Sequence, residues 1–295
     1  MTSLGGAIAV IIATRGRPAL VTEIVGALDE QSRRPDHIFV VGCSDDDISL
    51  LPTGRPDLTA AVGRTGLTLQ RNDGLRLASD VFGALAFFDD DFWPSRFWLE
   101  NALALFDGDP SIAGLTGQVL ADGISGPGLS LAEAQTIVAA RDGEPSGPTR
   151  FDESFGPYGC NMVFRAKAMT GMAFDERLPL YGWLEDADFG ARLKRRGRMG
   201  RADTLWGVHL GARGGREKGL RLGYSQIANA YYLARKGSLD WRFAARRAAG
   251  NLAANMLRFA APELHIDRRG RLFGNLLALG DLALGRVTPE RAADL

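Results

Sequence analysis

Several features that define other protein classes are missing from this 295-residue chain. Only two cysteines occur, Cys43 and Cys160, so we expect neither a disulfide framework nor a zinc ribbon, and a reducing compartment fits. No apolar run reaches the roughly 20 residues that a membrane span needs, and the N-terminus lacks the regions of a signal peptide. We therefore expect a soluble, cytoplasmic protein, with a peripheral position at the inner face of the membrane as the alternative.

The chain also lacks an excess of charge of either sign, because 35 basic residues balance 35 acidic ones. A balanced chain has no general electrostatic attraction to nucleic acid, so no nucleic-acid partner is expected. Hydrophobic residues make up 45% of the sequence, which is enough for a full core and argues against disorder. The composition therefore indicates a globular protein.

Strands alternate with helical stretches along most of the chain. Continuous apolar runs with β-branched residues are typical of strands buried on both faces of a sheet. We predict a mostly parallel, Rossmann-like α/β sheet whose strands include residues 7–13, 37–41, 67–70, 84–88, 112–120, 159–164 and 204–209. Ligands bind at the carboxyl ends of such strands, so the polar turns at 14–17, 43–47 and 89–91 are expected to converge there.

Three consecutive aspartates, Asp89, Asp90 and Asp91, directly follow the apolar strand at 84–88. Adjacent carboxylates at a buried strand end repel one another, so a cation is expected beside them. Their hard oxygen ligands suit Mg²⁺ or Mn²⁺, which complete their coordination with substrate phosphates and water. The alternative is an acidic turn that caps the next helix. The position after a buried strand favours a divalent-metal and phosphate site.

A second acidic segment opens a helix further along the chain. Helical spacing places Asp186 on the apolar face with Phe189, whereas Asp188 is expected to be a surface partner of Arg192. Asp186 is then either a helix-start acid or a base that faces a cleft. Glu185 would orient that base or bind a substrate hydroxyl.

His209 ends an apolar strand and precedes the glycine-rich basic loop 211–219, which contains Arg213, Arg216 and Lys218. A histidine at this position could complete a metal site while the loop closes over phosphates. The alternatives are a structural histidine and ordinary exposed basic residues.

Together these segments resemble the family 2 inverting glycosyltransferases with the nucleotide-sugar-binding GT-A fold. The resemblance covers residues 7–236 and depends on the order and spacing of the segments 9–17, 70–72, 88–94, 159–165 and 174–193. It implies a GT-A domain at 1–236, followed by a helical, basic amphipathic extension at 237–295. That extension would rest on anionic membrane, pack on a partner subunit in a homo-oligomer, or cap the same domain.

The resemblance also implies a role for each candidate residue. Asp91 would be the principal ligand of Mn²⁺ or Mg²⁺, with Asp89 and His209 as further ligands. Asp186 would be the general base, and Trp183 and Glu185 would bind the acceptor. The nucleotide would be bound by Thr14, Arg15, Arg17, Ser44, Asp45, Arg71, Asp89 and Asp90. The family motif has two acids around a variable residue, whereas this chain has three, so which two act is open.

The implied activity is inverting transfer of a hexose from a nucleotide diphosphate, with uridine diphosphate favoured, to a glycan or lipid-linked acceptor in polysaccharide or cell-envelope synthesis. A nucleotidyltransferase would carry a glycine-rich basic loop directly after the first strand, yet Gly5 and Gly6 precede that strand. A dinucleotide dehydrogenase would show Gly-x-Gly-x-x-Gly at the same place. A nucleotide-binding protein with a degenerate site is the third alternative.

Overall fold

The computed structural model describes residues 6–78, 81–145, 149–154, 156–212, 218–261 and 263–295. The chain divides into two compact units. The first unit comprises residues 1–65, 69–173 and 192–215, and the second comprises residues 66–68, 174–191 and 216–295.

A single sheet forms the centre of the first unit. Its strands are β1 (Ile8–Ala13), β2 (His37–Gly42), β3 (Leu58–Val62), β4 (Ala84–Asp89), β5 (Phe92–Pro94), β6 (Ile112–Asp122), β7 (Phe151–Asp152), β8 (Asn161–Arg165) and β9 (Arg198–His209). Their order is β3-β2-β1-β4-β8-β6-β9-β5, with β7 paired to β9. β3, β2, β1 and β4 are parallel, whereas β8 is antiparallel to both β4 and β6. The sheet is therefore mixed. The strands that lead into the predicted polar turns, β1, β2 and β4, belong to its parallel part.

The helices are α1 (Pro18–Asp29), α2 (Asp45–Ile48), α3 (Leu67–Ala78), α4 (Trp98–Gly108), α5 (Leu131–Asp142), α6 (Ala166–Met169), α7 (Glu185–Leu193), α8 (Gly219–Lys236), α9 (Trp241–Leu257) and α10 (Arg268–Ala283). Pro18 occupies the first turn of α1, where its missing N–H is not needed. The side chains of Ile24 and Leu28 then bury one face of α1 in the core. Among the described residues, every helix is too short or too polar to cross a membrane.

The strand predicted at residues 67–70 is wrong. These residues begin α3, and the third strand is β3 instead. The alternation Leu67-Thr68-Leu69-Gln70 satisfies a two-residue period for only four positions, a length at which strand and helix cannot be separated. β3 was missed because it is an edge strand whose side chains are all at least partly exposed, so it carries little apolar signal.

The second unit is mainly helical, and α8 and α10 approach each other closely. Each helix carries two glycines four residues apart, Gly219 and Gly223 on α8 and Gly270 and Gly274 on α10. A Cβ atom added at Gly223 or Gly274 would collide with the backbone of the facing helix. The absence of side chains at these positions therefore sets the distance between the two helices.

Candidate active site

The loop after β1 and the triplet after β4 meet at one edge of the sheet. Ala13 is paired with Asp89 in parallel register, so the residues that follow each strand emerge side by side. Thr14 is buried, and its hydroxyl donates a 2.7 Å hydrogen bond to an Asp90 carboxylate oxygen. Arg15 is exposed. The convergence predicted for these two turns is present in the first unit.

Three cationic side chains lie beside the triplet, and Arg17 contacts two of its aspartates. The nitrogen–oxygen distances are 2.9 Å for Arg71–Asp89, 2.6 Å for Arg17–Asp90, 3.2 Å for Arg17–Asp91 and 3.3 Å for His209–Asp91. Arg71 is almost fully buried and also donates to the Gly159 carbonyl oxygen at 2.8 Å. The cations expected from the sequence are therefore partly supplied by the protein itself.

The chain beyond β9 turns back onto the triplet. The Ala212 N–H donates to Asp91 Oδ2 at 2.8 Å, and the Ala212 carbonyl accepts from Arg17 at 2.7 Å. Burial opposes the charge of Arg17, but the nearby Asp90 and Asp91 outweigh it and raise the pKa of the guanidinium. Of the basic loop, Arg213 and Arg216 lie outside the described residues, and Lys218 is exposed before α8.

Burial and neighbouring charges separate the pKa values within this group. Burial, reinforced by the charges of Asp91 and Asp89, raises the pKa of Asp90 to about 7. Burial also acts against ionised Asp91, but the hydrogen bond and charge of His209 outweigh it and lower the pKa of Asp91. Burial would lower the pKa of His209, yet its hydrogen bonds to Asp122 and Asp91 raise it to about 10. The Asp91 carboxyl group therefore ionises more readily than that of Asp90.

Asp89, Asp91 and His209 form a group that fits a divalent cation. Each offers one ligand atom, and these atoms lie within 4.8 Å of one another. Asp89 ends β4, and Asp90 and Asp91 form the turn that follows, in which Asp89 and Asp91 group together while Asp90 turns to Thr14. Two carboxylate oxygens and one imidazole nitrogen suit Mn²⁺, and Mg²⁺ prefers oxygen alone. His209 must lose its Nε2 proton to take part as a ligand.

The loop after β2 is anchored by Asp47, which the sequence reading missed. Ser44 and Asp45, the predicted nucleotide ligands, are exposed at the start of α2. Buried Asp47 instead accepts hydrogen bonds from the backbone N–H groups of Gly16 at 2.5 Å, Cys43 at 2.8 Å and Ser44 at 3.0 Å. The Ser44–Asp47 spacing of a capping box is the signal that could have identified it.

Two further residues beside His209 were also missed. Asp122, the last residue of β6, is paired with His209 in the β6–β9 register. Its Oδ1 atom lies 3.0 Å from His209 Nδ1, and its Oδ2 atom accepts from the Tyr158 hydroxyl at 2.7 Å. The strand predicted at residues 112–120 ended two residues before Asp122, so this pairing was not predicted.

In the second unit, the segment before α7 has an unusual backbone. Leu180 and Leu184 adopt positive φ angles of 61° and 70°, and Gly182 between them has 64°. Non-glycine residues in this region cost about 1–3 kcal/mol each and occur often at functional sites. Trp183 is half-buried, and its carbonyl accepts from Asn229 at 2.9 Å. The backbone that leads into α7 is therefore held in a strained conformation.

The acids of α7 lie in different environments. Asp186 is half-buried and accepts a 2.7 Å hydrogen bond from the Ala187 N–H, whereas Glu185 is buried. The expected surface position of Asp188 is wrong, because Asp188 is fully buried and lies 2.8 Å from Lys236 Nζ. Phe189 is buried as predicted, but Glu185 and Asp188 share its buried face and Asp186 lies at the edge of that face.

Lys236 connects Asp188 to a second acid within the same unit. Its ammonium also lies 2.7 Å from Asp175, which in turn accepts from the Tyr232 hydroxyl at 2.9 Å. These contacts join α7 to α8. Asp188 therefore has a structural ion pair, whereas Asp186 keeps its carboxylate at the partly exposed side of the helix.

Comparison with known proteins supports the fold. No protein-family model and no curated protein sequence matches this chain. Among solved structures, S. aureus TarS 1–349 in complex with UDP-GlcNAc aligns at a TM-score of 0.56 and 17% identity, covering 98% of this chain and 83% of that one. The mannosyltransferase PcManGT from Pyrobaculum calidifontis, in complex with GDP-Man and Mn²⁺, aligns at 0.53 and 18% identity with coverages of 98% and 83%. The predicted GT-A fold, a mixed α/β fold with a helical C-terminal region, is confirmed.

Proposed function

We propose that this protein is a metal-dependent, inverting glycosyltransferase of family 2 that moves a hexose from a nucleotide-diphosphate sugar to an acceptor hydroxyl. The observation that carries the proposal is the group formed by Asp89, Asp91 and His209, with atoms within 4.8 Å of one another at the carboxyl ends of strands of a GT-A fold. Such a fold places ligands at that edge.

The donor nucleotide is proposed to lie beside the strand ends of the first unit. Arg17 and Arg71 supply positive charge for the diphosphate, and Thr14 and Asp90 shape the pocket between them. Exposed Arg15, Ser44 and Asp45 are proposed to reach the nucleoside. UDP-GlcNAc and GDP-Man, each named with a neighbour of this fold, support the class of donor; uridine diphosphate is preferred on the sequence resemblance.

Asp91 is proposed as the principal metal ligand, with Asp89 and His209 completing the protein's share of the coordination. When bound, a divalent cation offsets the negative charge that develops on the departing diphosphate. Mn²⁺ is the preferred ion because an imidazole nitrogen is among the ligands, and Mg²⁺ is the alternative.

Asp186 is proposed as the general base. It accepts the proton of the acceptor hydroxyl, whose oxygen then attacks the anomeric carbon opposite the departing diphosphate and so inverts its configuration. A carboxylate at the start of a helix is stabilised in its ionised form, as a base requires. Trp183 and Glu185 are proposed to bind the acceptor, a growing glycan or a lipid-linked carrier.

The deciding experiment measures thermal unfolding with uridine, guanosine and thymidine diphosphates, each with and without Mn²⁺. A nucleotide present at about 100 times its Kd stabilises the native state by about 2.7 kcal/mol, a rise in Tm of about 4 °C for a chain of this length. Asp91→Ala should lose the Mn²⁺-dependent part of that rise. Glu23→Ala, on the exposed side of α1, is the matched control and should respond as the native chain. Failure of every nucleotide to stabilise the native chain, or an unchanged response of Asp91→Ala, contradicts the proposal.

A further inference from the structure

Resting on the proposed function, we propose that Asp122 and Tyr158 are positioning residues for His209. They hold the imidazole in the tautomer and orientation that present Nε2 to the cation. Neither residue belongs to the ligand group itself.

The contacts around the His209 ring define two different sides. Nδ1 lies 3.0 Å from Asp122 Oδ1, whereas Nε2 lies 3.3 Å from Asp91 Oδ1. The ring is buried, with its side chain only 4% exposed, so water does not compete strongly for either nitrogen. The nitrogen away from the triplet faces a carboxylate, and the nitrogen beside the triplet faces the proposed ligands.

A histidine binds a metal ion only through an unprotonated nitrogen. With the Nδ1–H donated to Asp122, the ring's free electron pair is on Nε2, beside Asp91. A carboxylate at the outer nitrogen of a metal-binding histidine also fixes ring rotation and makes the ligand more basic. Asp122 therefore acts on the cation through His209.

Tyr158 fixes the orientation of Asp122 in turn. Its hydroxyl donates to Asp122 Oδ2 at 2.7 Å, while its ring stands edge-on to the His209 ring with centroids 6.0 Å apart. The Asp122 side chain is one-third exposed, so without this contact it could turn to solvent. Its second oxygen is thereby occupied, and the first stays directed at the imidazole.

The test is calorimetric titration of Mn²⁺ into the full chain and its variants. Asp122→Ala should weaken Mn²⁺ binding about 10–100-fold, the loss typical for such a partner. Tyr158→Phe should weaken it about 2–10-fold, the loss of one hydrogen bond. In a His209→Ala background, Asp122→Ala should have no further effect, because the ring through which it acts is gone.

Asp109→Ala is the matched control. Asp109 lies between α4 and the start of β6 and accepts from the Ser111 N–H at 2.9 Å, much as Asp122 accepts from the Ile124 N–H at 3.0 Å. Native-like Mn²⁺ affinity in Asp122→Ala, or an equal loss with and without His209, would overturn the positioning role alone. A native chain that takes up no Mn²⁺ would overturn the proposed metal dependence itself.

A separate observation in the second unit supports a second proposal: we infer that α9 and the segment after it bind an anionic lipid surface. Large apolar side chains protrude here, with exposed fractions of 54% for Trp241, 57% for Met256, 82% for Leu257, 37% for Phe259 and 95% for Leu264. Such exposure of apolar groups within one stretch of chain is typical of an interaction surface.

The positive charge on this surface indicates the kind of partner that it fits. α9 carries Arg242, Arg246 and Arg247, all exposed, and its sequence contains no acidic residue. Within the described part of the chain, none of these three arginines takes part in an ion pair. A symmetric contact between two copies would bring like charges together, whereas anionic lipid headgroups complement them.

Vesicle flotation tests this inference, using phosphatidylcholine alone and phosphatidylcholine mixed with phosphatidylserine. The protein should float only with the anionic vesicles. Leu257→Gln/Leu264→Gln should abolish flotation, and replacing the three arginines by glutamine should weaken it about 100-fold, since each contributes about 1 kcal/mol, or about fivefold. Leu50→Gln/Val81→Gln, at exposed positions of the first unit, should have no effect.

Two results would overturn the lipid proposal. One is equal flotation with neutral vesicles. The other is a dimer in light scattering that Leu257→Gln/Leu264→Gln converts to a monomer while no vesicle is bound, which would identify the surface as a contact between copies.

Discussion

The two acidic segments of this protein have similar compositions, but their side chains lie in different environments. In the first unit, Asp89 ends a strand and Asp90 and Asp91 form the turn that follows; the middle acid contacts Thr14, and the outer two group with His209. In the second unit, the acids 185–188 begin a helix, and the turn of about 100° per residue buries Glu185 and Asp188 while Asp186 stays half-exposed. The local backbone conformation and the contacts of each side chain therefore decide which acid in a run is available for chemistry.

The largest expected effect concerns Asp186, the half-exposed acid of the helix. Asp186→Asn should lower kcat by about 10²–10⁴-fold, because the amide cannot accept the acceptor's proton. Stabilisation by nucleotide and Mn²⁺ should remain native. Transfer assays and thermal unfolding measure the two quantities, and loss of both would assign Asp186 a structural role instead.

Asp188, a fully buried acid of the same helix, should affect stability rather than catalysis. Lys236→Met removes the cation 2.8 Å from Asp188 and 2.7 Å from Asp175, and leaves a fully buried carboxylate without that partner. Because Lys236 is itself 28% exposed, we expect a loss of about 3 kcal/mol in the free energy of unfolding, at the lower end for a buried pair. Urea unfolding measures it. The neighbouring Arg235→Met, at an exposed position, should stay within about 0.5 kcal/mol of the native chain.

A third test concerns the close packing of α8 and α10 in the second unit. Gly274→Ala puts a methyl group against the backbone of α8, so we expect a loss of about 2 kcal/mol. Gly250→Ala, on α9 with nothing within 4 Å of the added atom, should instead stabilise by about 0.5–1 kcal/mol. Equal effects in urea unfolding would mean that the α8–α10 approach is not fixed by its glycines.

The smallest expected effect is a pH dependence at Asp175. Burial would raise its pKa, but the hydrogen bond from Lys236 outweighs burial and lowers the pKa below its ordinary value of 3.8. A carboxyl whose pKa is lowered by folding adds stability above its unfolded pKa, and that stability disappears as the pH falls below about 4 and through the folded pKa. We expect about 0.5 kcal/mol because the Lys236 ammonium is partly exposed and water screens its attraction for Asp175. In Lys236→Met, this part of the stability profile between pH 5 and 3 should flatten.

The sequence predicts the parallel part of the sheet well. β1, β2 and β4 lie within a residue or two of their predicted limits, because each is an uninterrupted apolar run that ends at a polar turn. The start of α5 is marked by a Ser130–Glu133 capping box, a spacing that is visible in the sequence. These elements are specified by neighbouring residues, so local patterns are sufficient to find them.

Contacts that depend on strand register could not be predicted from the sequence. Asp122 and His209 are 87 positions apart, and only the bulged β6–β9 pairing brings them together. Which two of the three aspartates act together was left open for a similar reason, since it is the distant partner Thr14 that turns Asp90 away. Long-range pairs of this kind produce no recognisable spacing of residues in the sequence.

The cationic side chains beside the aspartate triplet bear on how such a protein would respond to metal supply in the cell. Domains that fold around a metal are lost when the metal is withdrawn. Here Arg71, Arg17 and His209 already offset part of the negative charge of the three carboxylates, so we expect the first unit to keep its fold without an ion. For a protein that works as proposed, metal supply would set how many copies are active at a given moment, while the number of copies that survive would stay the same.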